Sequence, residues 1–242
     1  MKKNDYSSVL NRAVGGGDPA VVGAAQANIL IALKAFHVPR ILDFGCGIGR
    51  TMPKLYDALG TRSDIQIDGC DISEDFILEA RRLHSELPFR FFSISGANPH
   101  YTMFGANRAA DAIPAGHYDA AYSFSVFTHL TLTMALETLF RVHGALRSGA
   151  HYYFTLFNLD SDAANIIRPN ASNTFKFTNP LTSTDVEYFA DPLDPLAFVA
   201  LPDAQVINAI SLSGFEVVDF IPGAWRNISA PNIHDAFLVR KV

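Results

Sequence analysis

The sequence predicts an α/β protein built on a doubly wound, mostly parallel sheet, and three observations support this prediction. Five segments rich in β-forming residues alternate with segments of helical periodicity. The first of these strands ends in a glycine-dense turn that leads into a helix. An aspartate follows the second strand at an offset typical of nucleotide-binding folds. Strands that alternate with helices in this way form a parallel sheet covered by helices.

Composition limits the class of protein. The chain has 242 residues and is 49% hydrophobic, which suits one α/β domain spanning 1–242 better than two small domains. The net charge is −5 and the sequence contains no run of lysine or arginine, so nucleic acid is not an expected partner. The two cysteines, Cys46 and Cys70, are too few for a disulfide framework or a four-thiolate zinc site.

The predicted location is cytoplasmic. The first residues lead into no apolar signal core, and no stretch approaches the roughly 20 apolar residues that a membrane span needs. The low cysteine content also fits a reducing compartment. We therefore expect neither a membrane nor a secretory setting, and the sequence leaves the oligomeric state open.

Residues 1–38 are predicted to form a lead-in followed by a helix. The polar stretch 1–17 ends in three glycines, which favours a flexible linker over a moving lid. Asp18 is suited to cap a helix, and Pro19 suits its first position. An alanine-rich helix is then expected over 21–38, where Pro39 stops it.

The glycine-dense turn runs from Gly45 to Gly49, between a strand at 40–44 and a helix at 51–59. Its alternate glycines lack a β-carbon, so the backbone can turn sharply and its N–H groups can approach a ligand. A dinucleotide motif would need glycine where Arg50 stands, and a phosphate loop would need lysine there. Neither phosphate-binding pattern fits this turn.

Asp71 ends a second predicted strand at 64–70, and Ser73 caps a helix that runs to about 86. Asp71 lies close to the roughly 20-residue offset at which an acid meets ribose hydroxyls in nucleotide folds. It could instead only cap the turn. Asp68 competes for the ribose role, but it lies inside the strand rather than at its carboxyl end.

The rest of the chain continues the alternation and then interrupts it. Segment 158–204 is rich in proline and aromatic residues, and it is either a substrate-covering lid or a structural flap on the sheet edge. The other predicted elements are strands at 89–94, 118–125, 150–157, 215–221 and 234–242, helices at 131–146 and 203–213, and a long connection at 95–116.

Several motifs together resemble one known family. They are Ile-Leu-Asp-Phe-Gly-Cys-Gly-Ile-Gly-Arg, Gly-Cys-Asp-Ile-Ser, Tyr-Asp-Ala-Ala-Tyr-Ser-Phe-Ser-Val-Phe-Thr-His-Leu, Ser-Gly-Ala-His-Tyr-Tyr-Phe-Thr and Gly-Phe-Glu-Val-Val. Over about 36–242 the chain resembles small-molecule class I S-adenosylmethionine-dependent methyltransferases. The resemblance implies a Rossmann-like sheet of seven strands with the last inserted antiparallel. It also implies S-adenosyl-L-methionine as the cofactor.

The resemblance also implies the cofactor contacts. Asp71 would meet the ribose, Ile72 the adenine face, and Asn98 is the available side chain for the adenine amino group, where the family commonly has an acid or an amide. From their position at the carboxyl end of the fourth strand, Tyr122 and Ser123 are expected to line the pocket, although strand-end packing explains Tyr122 equally well. The remaining expected contacts lie in and beside the glycine turn, at Asp43, Gly45, Cys46, Gly47 and Gly49.

The resemblance points to methyl transfer, with the oxygen of a small metabolite or sugar-like molecule as the expected acceptor. Such an acceptor needs a base, and His129 is the candidate, although it could simply order the turn before the next helix. The other histidines lack metal-site spacing, so no metal is expected. Trp225 and Arg226 could shape an acceptor pocket or only pack locally. A silent cofactor-binding or partner-binding domain is the alternative function.

Overall fold

The computed structural model describes residues 8–60, 64–96, 98–104, 111–166, 175–177, 179–180 and 187–242. The described residues fall into two units. The first comprises residues up to 97 together with 101–122, and the second comprises 98–100 together with 123–242.

Four parallel strands form the sheet of the first unit, in the order β3-β2-β1-β4. Phe44 on β1 pairs with Cys70 on β2, and Asp43 pairs with Tyr122 on β4. β1 and β2 are buried at nearly every position, as expected for strands covered on both faces. The strands are β1 (Arg40–Phe44), β2 (Gln66–Asp71), β3 (Arg90–Ser93) and β4 (Tyr118–Ser123).

The helices of this unit are α1 (Ser8–Ala13), α2 (Pro19–Ala32), α3 (Met52–Leu59) and α4 (Glu74–Leu83). The predicted caps are confirmed: Asp18 accepts a hydrogen bond from the N–H of Ala20, and Ser73 accepts one from that of Phe76. α2 ends earlier than predicted, because Lys34 has a φ of 37°, in the left-handed region that a right-handed helix excludes.

Residues 8–17 differ from the flexible linker that the sequence predicts. Part of this segment is helix α1, and Arg50 donates hydrogen bonds to the carbonyls of Val14 and, at 2.7 Å, Gly16. Apolar residues of the segment also pack on a cluster from the first unit. The segment contributes Leu10, Ala13 and Val14, and the cluster contains Ile48, Phe76 and Leu83. Arg50 and this packing hold the segment in place, and neither contact can be read from its local sequence.

The second unit contains the long strand β5 (Leu146–Leu159), with β10 (Asp235–Lys241) between β5 and β9 (Phe215–Ile221). β10 is antiparallel to both neighbours, so the predicted antiparallel insertion of the last strand is confirmed. β5 begins directly after α5 (Leu132–Ala145). The strand predicted at 150–157 therefore begins earlier than expected, and Gly149 lies inside it with a φ of 77°.

The described parts of segment 158–204 are more regular than its composition predicts. β8 (Val199–Pro202) pairs parallel with β5, with Ala200 opposite Phe157, and leads into α7 (Asp203–Leu212). The short strands of this segment were not predicted from the sequence, because the segment contains prolines and proline weakens a strand prediction. The other elements here are α6 (Ser161–Ile166), β6 (Asn179–Pro180) and β7 (Tyr188–Phe189). Residues 167–174, 178 and 181–186 lie outside the described part, and a lid role stays a prediction.

All seven predicted strands occur, and the mixed α/β architecture with a mostly parallel sheet is confirmed. Among the helices in the described ranges, none combines the length and apolar composition that a membrane crossing requires.

A buried ionic network fixes the turn before β10. Arg226 donates to Asp235 at 2.6 Å, to Asp160 at 2.8 Å and to the carbonyl of Asn158 at 2.8 Å. Asp235 is fully buried and also accepts from the N–H of Gly223. Because the guanidinium fork is bonded to protein groups on each of its three nitrogens, Arg226 serves local packing rather than an acceptor pocket.

We expect Arg226→Met to lower the free energy of unfolding by about 3 to 5 kcal/mol, because it leaves the buried Asp235 carboxylate uncompensated. Urea unfolding at pH 7 measures this. Arg240→Met is the matched control, since the Arg240–Glu216 pair is exposed and should contribute about 1 kcal/mol or less. An equal loss of unfolding free energy in the two variants would contradict the structural role of Arg226.

Candidate functional site

The glycine turn folds back onto the end of β2. The N–H groups of Gly45 and Cys46 both donate to the carbonyl of Cys70, at 2.8 and 3.0 Å. The N–H of Gly47 donates to the Asp71 carboxylate at 2.9 Å. Gly47 has a φ of 54°, in the left-handed region, so a side chain there would strain the turn. These bonds fix the loop directly beside the carboxyl end of β2.

This arrangement revises the expected role of the turn's N–H groups. The N–H of Gly49 also donates within the turn, to the Cys46 carbonyl, so four N–H groups of the turn bond to the protein itself. The turn thus offers a ligand a close backbone surface rather than an array of donors for a phosphate. That agrees with the absence of both phosphate-binding sequence patterns.

Cys46 fills space inside the turn. A β-carbon on Gly69 would lie only 2.8 Å from the Cys46 sulfur, so β2 needs glycine opposite this side chain. The thiol is buried, and this burial raises its pKa well above the ordinary value. The Cys46 side chain therefore packs inside the protein, while its backbone forms part of the turn.

Asp71 has the geometry that the ribose prediction needs. Its side chain is 8% exposed at the end of β2, and its two oxygens accept from the N–H groups of Gly47 and Ser73, both at 2.9 Å. Burial raises its pKa, while these backbone hydrogen bonds oppose the rise. A carboxylate has about four acceptor positions, so capacity remains for a pair of hydroxyl groups.

Asp68, the competing acid, is committed to the sheet. It is fully buried and bonds to Arg90 at 2.6 Å, to the Tyr118 hydroxyl at 2.8 Å and to Gln66 at 2.6 Å. These contacts neutralise its charge and hold neighbouring strands together. The structure therefore gives Asp68 a structural role.

Asp43 and Tyr122 form a buried pair at the ends of β1 and β4. Asp43 is 4% exposed, and burial raises its pKa to about 8, with a hydrogen bond from Tyr122 lowering it and the nearby Asp71 carboxylate raising it. At neutral pH the folded chain therefore holds Asp43 largely protonated. A cation brought next to this carboxyl would favour its ionised form.

The residues predicted to meet adenine have different surroundings. Ile72 is half-buried directly after β2, and Asn98 is 5% exposed. The Asn98 amide donates to the His129 carbonyl at 2.9 Å and accepts from the His100 N–H at 3.0 Å, so both of its polar ends are bonded in the second unit. The adenine contact of Asn98 stays a prediction.

An acid that sequence reasoning missed lies at the end of β3. The Asp111 carboxylate accepts from the N–H of Ser93 at 2.9 Å, and its own N–H donates to the Ser93 carbonyl at 2.7 Å. No acid directly follows the third strand in the sequence. Asp111 lies 18 positions after Ser93, so no local pattern links it to the end of β3.

Ser123, predicted to line the cofactor pocket, has its hydroxyl 2.7 Å from that of Tyr152 on β5. Both residues are fully buried. Both residues belong to the second unit, and a cofactor contact by Ser123 stays a prediction.

A cluster of histidines lies in the second unit around His129. The rings of His129 and His100 stack with centroids 5.1 Å apart and an angle of 9° between their planes. Nδ1 of His100 lies 2.6 Å from the Asp194 carboxylate, and Nδ1 of His129 lies 3.1 Å from the Leu196 carbonyl. Because carboxylates and carbonyls only accept, the Nδ1 atom of each ring carries the hydrogen.

Loss of hydration lowers the pKa of two histidines in this unit. Burial lowers the pKa of His129 to about 4, against a hydrogen bond to Leu196 that raises it, and the nearby His100 lowers it further. Burial also lowers the pKa of His234 to about 3. His129 and His234 are therefore uncharged at neutral pH. The described residues contain no group of histidines, cysteines and acids arranged to hold a metal ion.

Comparisons with known proteins identify the type of domain. Residues 42–152 match a family model described as a methyltransferase domain. The chain carries a class I S-adenosylmethionine-dependent methyltransferase domain. A search of curated protein sequences gave no match.

Solved structures similar to this methyltransferase support the fold. Magnesium protoporphyrin IX methyltransferase from Synechocystis PCC 6803, with bound SAH, has a TM-score of 0.56 and 16% identity, covering 96% of this chain and 92% of that one. An S-adenosylmethionine-dependent methyltransferase from Mesorhizobium loti has a TM-score of 0.59 and 19% identity, covering 91% and 100%. Mitomycin 7-O-methyltransferase has a TM-score of 0.61 and 16% identity, covering 96% and 56%.

The residues of the first unit suit S-adenosyl-L-methionine, the cofactor of the methyltransferase. The cofactor supplies a methyl group on a sulfonium, which is positively charged and carries no phosphate. Asp71 has acceptor capacity for hydroxyl groups, and Asp43 provides a carboxyl that a positive charge would ionise. The glycine turn adds a backbone surface with no array of phosphate-binding donors.

We expect Asp71→Asn to weaken binding of S-adenosylhomocysteine by about 10-fold or more, since a hydrogen bond to a charged group contributes about 1.5 to 3 kcal/mol. Isothermal titration calorimetry measures this affinity. Asp68→Asn is the matched control, and it should lower stability while leaving the affinity within about twofold. A weaker affinity in the Asp68 variant alone would reverse the assignment of the two acids.

We expect Asp43→Asn to flatten the pH dependence of stability. The carboxyl has an ordinary pKa of 3.8 and a pKa of about 8 when folded, so between these values the folded state binds a proton that the unfolded state lacks. The free energy of unfolding therefore falls as pH rises from 4 to 8, and the variant should lose this fall, on the order of 1 kcal/mol or more.

Urea unfolding at pH 5 and pH 8, without cofactor, measures the effect at Asp43. Asp57→Asn, at an exposed position on α3, is the control. If the Asp43 variant loses as much stability as the parent chain between the two pH values, the carboxyl does not hold the proton.

Proposed function

We propose that this methyltransferase acts on an oxygen atom of a small metabolite or sugar-like acceptor. The observation that carries the proposal is the acid–base cluster of the second unit, where Asp194, His100 and His129 are in contact. A hydroxyl acceptor must lose its proton as the methyl group arrives, and a base contributes about 10² to 10⁴ in rate. A neutral amine already has an available lone pair, so it can attack the methyl group without first losing a proton to a base.

His129, the base predicted from the sequence, belongs to this cluster. With the hydrogen at Nδ1, the lone pair lies at Nε2, and a pKa of about 4 keeps this atom unprotonated at neutral pH. The same low pKa makes it a weak base. The proposal therefore assigns proton removal to the cluster, of which His129 is one member.

We assign the cofactor to the first unit, with Asp71 on the ribose and Asp43 and Tyr122 beside the positively charged end. The glycine turn from Gly45 to Gly49, including Cys46 and Gly47, supplies the backbone surface, and Ile72 supplies an apolar one. Asn98 and Ser123 remain proposed contacts. These assignments rest on the burial and hydrogen bonding of the carboxyl groups and on the resemblance of the motifs.

The names of structural relatives support the class of acceptor. One is a mitomycin 7-O-methyltransferase and another a magnesium protoporphyrin IX methyltransferase, and both names denote methylation of small organic molecules. At 16% identity these similarities show a shared fold alone, so the oxygen atom and the small acceptor are our inference.

A second candidate function is a cofactor-binding domain without catalytic activity. The contacts of His129 favour it, because a histidine held by Leu196 and Asn98 also explains an ordered turn. Such a domain would bind S-adenosylhomocysteine and never turn over S-adenosylmethionine.

Matched pairs of acceptors test the proposal. S-adenosylhomocysteine formation is measured with 4-hydroxybenzoate against 4-aminobenzoate, catechol against 2-aminophenol, and methyl glucoside against its 2-amino analogue. We expect turnover of hydroxyl members, with the methyl group located on oxygen by mass spectrometry. Transfer to nitrogen only would contradict the oxygen assignment, and cofactor binding with no turnover would favour the silent domain.

A further inference from the structure

A buried histidine of the first unit lies against the second half of the glycine turn. His84 directly follows α4 and is 2% exposed. Its Nε2 atom lies 3.1 Å from the carbonyl oxygen of Ile48, a residue 36 positions earlier in the chain. A β-carbon on Gly49 would lie 3.0 Å from the same nitrogen and 3.1 Å from the neighbouring ring carbon. The imidazole therefore fits closely against the last two residues of the turn.

The hydrogen of the His84 ring is directed to the turn. A carbonyl oxygen only accepts, so Nε2 is the donor of the bond to Ile48. Burial lowers the pKa of His84 from its ordinary value of 6.5, and the ring is therefore uncharged at neutral pH with its single hydrogen at Nε2. Nδ1 is buried and has no hydrogen-bond partner among the residues that the structure describes.

Packing alone does not account for a histidine at this position. The His84 ring stacks on Phe91 with centroids 6.0 Å apart, and it meets the edge of Phe89 at 6.1 Å. An apolar side chain would suit these aromatic neighbours without burying a nitrogen that lacks a partner, which costs stability. What the polar ring adds here is the hydrogen bond to the Ile48 carbonyl.

His84 holds the part of the turn that the end of β2 does not hold. The N–H groups of residues 45–47 bond to the end of β2. Ile48 and Gly49 contact His84 instead. The N–H of Gly49 donates to the Cys46 carbonyl at 2.9 Å, which links the two halves of the turn. A shift of Ile48 would therefore be transmitted to the backbone that bonds Asp71.

We propose that His84 is a positioning residue of the cofactor site, which holds the second half of the glycine turn in the shape that S-adenosyl-L-methionine requires. This inference rests on the proposed assignment of the cofactor to the first unit. In this role His84 acts through Ile48 and Gly49 and does not itself contact the cofactor. A turn already held in the free chain does not have to be ordered when the cofactor binds, and this favours affinity.

The test compares His84→Leu with His84→Gln in the full chain, each titrated with S-adenosylhomocysteine by isothermal titration calorimetry. Leucine has no donor for the Ile48 carbonyl, whereas glutamine extends an amide N–H to about the position of Nε2. We expect His84→Leu to weaken the affinity by about 3- to 10-fold, the effect of one lost hydrogen bond. His84→Gln should retain most of the affinity, and this rescue separates the hydrogen bond from the packing of the ring.

His37→Leu is the matched control. Nε2 of His37 also lies 3.1 Å from a backbone carbonyl, that of Ile31 on α2, but His37 is exposed and lies outside the glycine turn. Its substitution removes a contact of the same kind and should leave the affinity for S-adenosylhomocysteine unchanged. Urea unfolding of every variant separates a loss of stability from a loss of affinity.

Hydrogen exchange followed by mass spectrometry measures the turn directly. In His84→Leu the amides of residues 45–49 should exchange faster than in the parent chain, because an opening of the turn exposes them to water. The amides of β10 should keep their parent rate. A purely structural role would raise exchange in both places.

The outcomes are distinct. If His84→Leu binds as tightly as the parent chain, or if His84→Gln loses as much affinity as His84→Leu, the inference fails while the proposed cofactor site stands. If the parent chain does not bind S-adenosylhomocysteine, or if Asp71→Asn binds it as tightly as the parent, the assignment of the cofactor fails and the inference with it. Should His84→Leu not fold, His84→Asn takes its place, since its shorter amide reaches only the position of Nδ1, and parent affinity in that variant contradicts the inference.

Discussion

The hydrogen bond from the Gly47 N–H to the Asp71 carboxylate is the contact on which the proposed cofactor site depends. It joins the turn after β1 to the end of β2 and holds a buried acid in place. The turn can make this bond only because Gly47 adopts a left-handed φ. The Cys70 carbonyl accepts from the N–H groups of the two preceding residues, so the donors of the turn are directed into the protein. The result suits a cofactor that carries a positive charge and no phosphate.

The second unit is stabilised by a different interaction, ion pairs between groups from distant parts of the chain. Arg226 neutralises the buried Asp235 and also holds Asp160, which fixes the start of β10 against the end of β5. Asp194 and His100 also come from distant parts of the chain, but their side chains are 43% and 24% exposed. The Arg226–Asp235 pair is buried, whereas this contact is open to water.

The sequence predicted strands well where local pattern and tertiary packing agree. β1 and β9 have the predicted bounds, and the caps at Asp18 and Ser73 are as expected, because capping is a local hydrogen bond. Predictions were wrong where a distant contact overrode the local signal. Arg50 holds in place residues whose sequence predicts a flexible linker. Pairing with β10 keeps β5 extended close to Gly149. Pairing with β5 also makes β8 a strand, although prolines lie close to this segment.

By itself the sequence determined the order of strands and helices, the glycine turn and the acid at the end of β2, because each depends on residues close together in the chain. Tertiary structure alone decided which acids have partners. The sequence separates Asp68 from Asp71 only by position along the strand, whereas the fold pairs Asp68 with Arg90 and leaves Asp71 with acceptor capacity. The contact between His100 and Asp194 likewise joins residues 94 positions apart. No local pattern encodes such a pair, since the energy that forms it comes from the folding of the whole unit.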